Sequence, residues 1–74
     1  MRPLKRSFSI NGHRTSISLE TPFWEALKEI ACTRTLTLAA LVAEIDNARA
    51  DGTGLSTAVR LYVLADLQER VRGR

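Results

Sequence analysis

Two short alternating runs near the N-terminus limit what this chain can fold into. Ser7–Ile10 and Arg14–Leu19 alternate polar and apolar residues on either side of Asn11-Gly12. Asn-Gly between such runs is typical of a β-hairpin, because the tight turn needs residues that tolerate a positive φ. A two-stranded hairpin is only marginally stable in water, so something else must cover it.

The second run presents two different faces. The side suited to covering a helical core is formed by Thr15, Ile17 and Leu19. The opposite side offers hydrogen-bonding groups and is formed by Arg14, Ser16 and Ser18. Such a face fits the major groove of DNA, where Arg bonds guanine and Ser pairs with donors or acceptors. An ordinary solvent-facing strand would be polar as well, so the pattern by itself leaves both interpretations open.

Beyond this strand the apolar spacing becomes helical. Thr21 is predicted to cap a first helix over residues 22–33. Thr37 is predicted to cap a second helix over residues 38–50, and a third helix is predicted over residues 56–71. The third helix is apolar over more than one stripe. We therefore expect one side of it to face its own subunit and another side to face a partner.

The length of the chain, 74 residues, indicates a single domain that buries too little surface to be robustly stable alone. Cys32 is the only cysteine and His13 the only histidine, so neither an internal disulfide nor a His/Cys zinc site can form. The hydrophobic content of 45% is too high for a disordered chain. These facts together predict an obligate dimer.

The residue types argue against catalysis. No base lies beside a nucleophile, and no glycine-rich phosphate loop is present. The sequence therefore predicts no enzyme activity, no metal, no cofactor and no small-molecule ligand. It also lacks an apolar run long enough for a transmembrane helix or a signal peptide, so we expect a cytoplasmic protein without membrane contact. If the protein binds DNA, we expect it to be nucleoid-associated.

Positive charge is concentrated at the two ends of the chain. Residues 1–14 carry four basic residues and no acidic one, whereas residues 15–69 carry eight acidic and four basic residues. A basic segment beside a strand is a plausible contact for DNA phosphates, and the alternative is a solvated tail that keeps the protein soluble.

The order of strand, capped helix, short turn and second helix resembles the ribbon-helix-helix DNA-binding proteins, the class of the Arc and MetJ repressors. The resemblance rests on Arg14–Glu20, Phe23–Ala31 and Leu36–Val42, and it covers about residues 13–50. GHRTSISLE followed by FWEALKEIA and later by LSTAVR is similar to a small bacterial subgroup with a third helix.

The resemblance implies a mostly α fold with one short β-strand, a ribbon-helix-helix dimer with a third helix. Two chains would pair their strands as an intermolecular antiparallel two-stranded ribbon. The implied base-reading residues are Arg14, Ser16 and Ser18. The expected phosphate contacts are Lys5, Arg6, His13 and the amides at Thr37 and Leu38. The expected dimer core is formed by Ile17, Leu19, Trp24, Leu27, Leu41, Val42 and Ile45.

We therefore expect a sequence-specific DNA-binding protein, a transcriptional repressor that binds double-stranded DNA as a homodimer or a higher oligomer. The alternative is a dimeric protein-interaction module, an antitoxin-like or adaptor subunit, that uses the apolar third helix. The expected organisation is a basic arm or additional strand over residues 1–12, the core over 13–50, and a helix with a basic tail over 51–74.

Two points of this interpretation depend on backbone conformation. A hairpin at Asn11-Gly12 would give a dimer a four-stranded sheet, which is wide for the groove, so we favour a kink followed by a basic arm along the phosphates. Many members of the family have Gly between the first two helices, where this chain has Thr35. Thr is a poor occupant if that turn requires a positive φ.

Overall fold

The computed structural model describes residues 1–73, so Arg74 of the predicted basic tail lies outside the described residues. Two strands are followed by three helices. In chain order they are β1 (Leu4–Ile10), β2 (His13–Leu19), α1 (Thr21–Thr33), α2 (Leu38–Ala48) and α3 (Leu55–Arg72). The expected mostly helical architecture, with a ribbon, two helices and a third helix, is confirmed.

The preference for a kink at Asn11-Gly12 is wrong, because β1 and β2 pair as an antiparallel hairpin within the chain. Asn11 has φ 50° and Gly12 has φ 78°. Positive φ at both central residues defines the type I′ turn, whose twist matches that of the flanking strands. The segment expected as a basic arm is therefore largely a second strand, and its register places Leu4 opposite Leu19.

The helices pack against one face of the hairpin and enclose a core within the single chain. On β2 the buried side chains are Ile17 and Leu19, as the alternation predicts. The helices contribute Trp24, Leu27, Ile30, Ala31, Leu41, Val42, Ile45, Ala58, Val59 and Val63. This core satisfies the need for cover that a two-stranded hairpin has.

The first two helices begin close to the predicted positions. Thr37 caps α2 as expected, since its Oγ1 accepts a hydrogen bond from the Ala40 amide at 3.0 Å. Thr21 does not cap α1. The N-cap is Glu20, which forms no side-chain cap bond, although its carbonyl accepts from the amides of Phe23 and Trp24. α2 ends at Ala48, two residues before the prediction, because the next residue has an extended backbone.

The turn after α1 requires a positive φ, and Thr35 adopts it with φ 58°. The Thr35 amide donates to the Cys32 carbonyl at 3.1 Å, and the Leu36 amide donates to the Ala31 carbonyl at 2.8 Å. These two bonds form a Schellman motif, in which the left-handed position is normally occupied by glycine. A β-branched residue therefore occupies a position that suits glycine better.

Candidate nucleic-acid interface

The face of the hairpin that points away from the helices is polar along both strands. Because Ile17 and Leu19 point into the core, the alternate residues of β2 must point outward. The register places each of them beside an outward residue of β1. The pairs are Lys5 with Ser18, Ser7 with Ser16, and Ser9 with Arg14. We call these six residues the outer face.

The outer face carries four hydroxyl groups and two positive charges. Five of its six side chains are exposed, and Ser18 is half-buried. Ser7 Oγ and Ser16 Oγ lie 3.5 Å apart across the strands, at the outer limit of a hydrogen bond. Within residues 1–73, neither Lys5 nor Arg14 forms an ion pair. The cationic groups of this face are thus available to an anion.

The other predicted phosphate contacts of the N-terminal segment lie on the helix-facing side. The Arg6 guanidinium carbon is 5.1 Å from the centre of the Trp24 ring, a cation–π distance. His13 pairs with Ile10 next to the turn and is exposed. The hairpin therefore separates Arg6 and His13 from the predicted base-reading residues, and their contact with phosphate stays a prediction.

Thr37 and Leu38 lie at the N-terminus of α2, where the first amides of a helix lack partners within the helix. The other end of α2 reaches the hairpin turn, since Asn11 Nδ2 donates to Asn47 Oδ1 at 3.0 Å. Among the described residues, no side-chain hydrogen bond or ion pair joins Thr37 or Leu38 to the outer face. Their role in clamping a phosphate stays a prediction.

All seven residues expected in a dimer core are buried within one chain. Their relative exposures run from 0% to 5%, the highest being that of Ile45. Burial of these side chains therefore requires no second chain. The dimer itself stays a prediction.

The edge of β2 that faces away from β1 is covered by α3 at Ser18. The Ser18 amide donates to Ser56 Oγ at 3.2 Å, and the Ser18 carbonyl accepts from Arg60 Nη2 at 3.2 Å. Arg60 Nε also donates to Glu20 Oε1 at 3.0 Å. The side-chain hydrogen bond from Arg60 holds the pKa of the Glu20 carboxyl below its ordinary value. We call Ser56, Arg60 and Glu20 the edge clamp.

A second charged cluster holds the helices together. Arg34, just after α1, makes a bidentate pair with Glu44 of α2 and donates to the Tyr62 hydroxyl of α3 at 3.0 Å. The hydrogen bonds from Arg34 lower the pKa of Glu44. Since this cluster links α1, α2 and α3, its evident role is structural.

Residues 1–73 contain no group of three or more His, Cys, Asp or Glu side chains placed to hold a metal ion. Within the same part of the chain, no helix has both the length and the apolar character needed to cross a membrane.

Sequence reasoning missed the contribution of β1 to the outer face. Ser7 and Ser9 lie beside the predicted readers Ser16 and Arg14. The signal that identifies them was present, because a two-residue Asn-Gly loop fixes the register of the strands. The edge clamp had no such signal, since Arg60 and Glu20 are separated by 40 residues.

A family model described as a ribbon-helix-helix domain matches residues 3–67. Among solved structures, an uncharacterized protein from Bordetella pertussis Tohama I is similar, with a TM-score of 0.79 and 23% sequence identity. That match covers 96% of this chain and 60% of the other, so the chain spans less than two thirds of that protein. At this level of identity the likeness concerns the fold alone. No curated protein matches the chain.

Proposed function

The chain belongs to the ribbon-helix-helix domain family, a family of DNA-binding transcription regulators, and from this premise we propose that it binds double-stranded DNA sequence-specifically and represses transcription. The observation that carries the proposal is the outer face, six polar residues without an acidic side chain on one side of a two-stranded ribbon. A repressor needs only to occupy its site on DNA, and this role requires no catalytic group.

The dimensions of the hairpin support insertion into the major groove. That groove is about 12 Å wide and admits a two-stranded β-ribbon. Two paired strands lie about 5 Å apart, which leaves room for side chains on both sides. Because β1 and β2 are paired within the chain, one molecule can present a complete ribbon.

The six side chains divide into two chemical types. Arg14 can bond guanine O6 and N7 together, and the serine hydroxyls can donate or accept at any base edge. Their short side chains allow the ribbon to lie deep in the groove. Lys5, at the opposite end of the outer face from Arg14, is suited to a phosphate. We propose Arg14, Ser16 and Ser18 as base-reading residues, together with Ser7 and Ser9 of β1.

The intermolecular ribbon expected from the family fits the hairpin of β1 and β2 less well than a ribbon formed by one chain does. Pairing β2 with its copy while each keeps its β1 would give four strands, about 14 Å across the backbones alone. It would also require the Ser18 amide and carbonyl, which Ser56 and Arg60 occupy. We therefore propose that each chain inserts its own hairpin, and that a homodimer, if formed, places two hairpins on two half-sites.

Arg14→Ala tests base reading, with Arg72→Ala as the matched control. Both changes remove one exposed arginine, but Arg72 lies at the end of α3, away from the outer face. After in vitro selection of a preferred site, Arg14→Ala should lose about 1–3 kcal/mol on that site and relax the preference there. Equal losses on all sequences would make Arg14 a phosphate contact only. No loss would refute the proposal.

Ser9→Ala distinguishes the two ribbon models. In the single-chain ribbon Ser9 lies beside Arg14 in the groove, so its loss should alter the selected sequence. In an intermolecular ribbon Ser9 belongs to an outer strand and should not affect base preference. An unchanged preference in Ser9→Ala, combined with an altered one in Ser16→Ala, would favour the intermolecular ribbon.

The second candidate function is a protein-interaction module, and the apolar exposed side of α3 favours it. The salt dependence of the binding affinity distinguishes the two candidate functions. DNA binding through the outer face predicts that affinity falls steeply with salt, because bound counterions are released. An apolar interface on α3 would respond weakly to salt.

A further inference from the structure

The tip of the hairpin places an asparagine amide beside an unhindered backbone nitrogen. Asn11 and Gly12 form the turn and are both exposed. The Gly12 amide donates no hydrogen bond within residues 1–73. A Cβ added at Gly12 would meet nothing within 4 Å, so the space around this turn is open to solvent. The backbone nitrogen of Gly12 is therefore accessible both to the side chain of Asn11 and to water.

We propose that Asn11 is a site of spontaneous deamidation, a covalent modification whose only co-reactant is water. In the first step the Gly12 backbone nitrogen attacks Asn11 Cγ, and the new C–N bond closes a succinimide ring. The bond between Cγ and Nδ2 of Asn11 breaks, and Nδ2 leaves as ammonia with the proton that the Gly12 nitrogen loses. No oxidant or reductant takes part. Glycine favours this step because it has no Cβ that would hinder the approach of the nitrogen.

Water opens the ring in the second step, and the position of the opening decides the product. The hydroxyl of the water adds to a carbonyl carbon of the ring, the C–N bond there breaks, and the Gly12 nitrogen takes the remaining proton. Opening at Cγ gives an ordinary aspartate. Opening at the main-chain carbonyl carbon leaves Gly12 attached to Cγ, a β-aspartyl linkage in which the main chain passes through Cβ and is longer. Both products carry a carboxylate in place of the neutral amide.

Asn47 of α2 controls the first step, because it holds the amide that has to move. Asn11 Nδ2 donates to Asn47 Oδ1 at 3.0 Å. Ring closure requires the Asn11 side chain to leave this bond and to turn towards the Gly12 nitrogen. The bond is exposed, and one such bond contributes little net stability, so the amide is released frequently. Asn47 is thus a positioning residue that slows deamidation without preventing it.

The chain contains an internal comparison for this reaction. Asn47 is the only other asparagine, and the residue that follows it is Ala48, in the last turn of α2. The backbone nitrogen of Ala48 is held within the helix, and the methyl group of Ala48 hinders ring closure. Asn11 should therefore deamidate in the folded chain while Asn47 remains intact.

The two products differ in their effect on the hairpin. Aspartate before glycine still fits a type I′ turn, so the aspartate product keeps the register of β1 and β2. The β-aspartyl product lengthens the main chain of a two-residue loop, and loop geometry sets the register of a hairpin. Ser9 would then no longer lie beside Arg14 on the outer face. The β-aspartyl form should therefore be less stable, and it should also bind DNA more weakly, an effect that rests on the proposed function.

Mass spectrometry of the folded full chain tests the modification without DNA. The protein is incubated at neutral pH, sampled over time and digested with trypsin under mildly acidic conditions that suppress further reaction. Cleavage after Arg and Lys gives peptide 7–14, which contains Asn11, and peptide 35–49, which contains Asn47. Peptide 7–14 should gain the mass difference between an amide and an acid and separate into two products by chromatography, whereas peptide 35–49 should not change. An Asn11 that stays intact in the folded chain would overturn the proposal, and the chain unfolded in urea is the positive control.

Asn47→Ala tests the role of α2 in the rate, with Gln68→Ala as the matched control. Both changes remove a side-chain amide from a helix, but only Asn47 is bonded to the hairpin turn. Asn47→Ala should raise the deamidation rate of Asn11 by about twofold to tenfold, the factor that corresponds to the net strength of one hydrogen bond. Gln68→Ala should leave the rate unchanged, and circular dichroism establishes that both variants are folded. Equal rates in Asn47→Ala and wild type would overturn the role of Asn47.

Separation of the two products tests the consequence for the hairpin. Asn11→Asp is the matched control, since it carries the same charge on an ordinary main chain. The β-aspartyl form should unfold at a lower temperature than Asn11→Asp, and it should bind a selected DNA site at least about fivefold more weakly, the lower end of what one bidentate base contact contributes. Equal unfolding temperatures would overturn the loss of register. A less stable β-aspartyl form with unchanged DNA affinity would instead overturn DNA binding through the outer face.

Discussion

Replacing Thr35 with glycine should stabilise the fold, because Thr35 holds a left-handed backbone conformation at the end of α1. Its φ of 58° lies in a region that costs an L-residue about 1–2 kcal/mol. The side chain is exposed, so little packing is lost on its removal. The Schellman hydrogen bonds use backbone groups and remain available to glycine.

The net gain is smaller than the strain released. Glycine is more flexible in the unfolded chain, which costs about 0.5–1 kcal/mol on folding. The expected gain in the free energy of unfolding is therefore about 0.5–1 kcal/mol. For a domain of this size, 1 kcal/mol raises Tm by about 4–8 °C.

Urea denaturation at one fixed protein concentration provides the measurement. Trp24 is the only tryptophan and is 1% exposed, so its fluorescence reports the loss of the core. The matched control is Thr53→Gly, the same change in a loop at a residue without positive φ, which should lose stability. If Thr35→Gly is no more stable than wild type, or if its free energy of unfolding falls by as much as that of Thr53→Gly, the assignment of strain to Thr35 is refuted.

Two further predictions concern the edge clamp and the hairpin turn. The fold lowers the pKa of Glu20 below its ordinary value of 4.5. The ionised carboxylate therefore stabilises the fold at pH values above 4.5, and this stabilisation is lost as the pH falls through the lowered pKa. The stability advantage of wild type over Glu20→Gln in urea should therefore shrink on acidification, and a constant gap would contradict this. Gly12→Ala should lower the free energy of unfolding by about 1 kcal/mol or more, measured by thermal denaturation, because Gly12 has a φ of 78°. Nothing lies within 4 Å of an added Cβ, so a steric clash does not contribute to the loss. Gly54→Ala is its control, with open space and φ −66°, and equal effects of the two changes would rule out backbone strain as the cause.

The expectation of a kink illustrates where reasoning from function misled. The alternation around Asn11-Gly12 predicted the hairpin correctly, but the fit of a dimeric sheet to the groove argued against it. The turn forms because Asn and Gly accept positive φ, whatever the ribbon later binds. Once β1 pairs with β2, Ser7 and Ser9 join the outer face and Arg6 turns towards Trp24.

The sequence by itself determined the local features of this protein: the polar and apolar faces of β2, the Asn-Gly turn, the cap at Thr37 and the approximate extent of the helices. These depend on residues a few positions apart, so their signals can be read along the chain. Only the tertiary structure decided that one chain encloses its own core, that Ser56 and Arg60 cover the edge of β2, and that one stripe of α3 stays exposed. The contacts at the edge of β2 join residues 38 and 42 positions apart. They depend on how the helices pack around the hairpin, which no local pattern encodes.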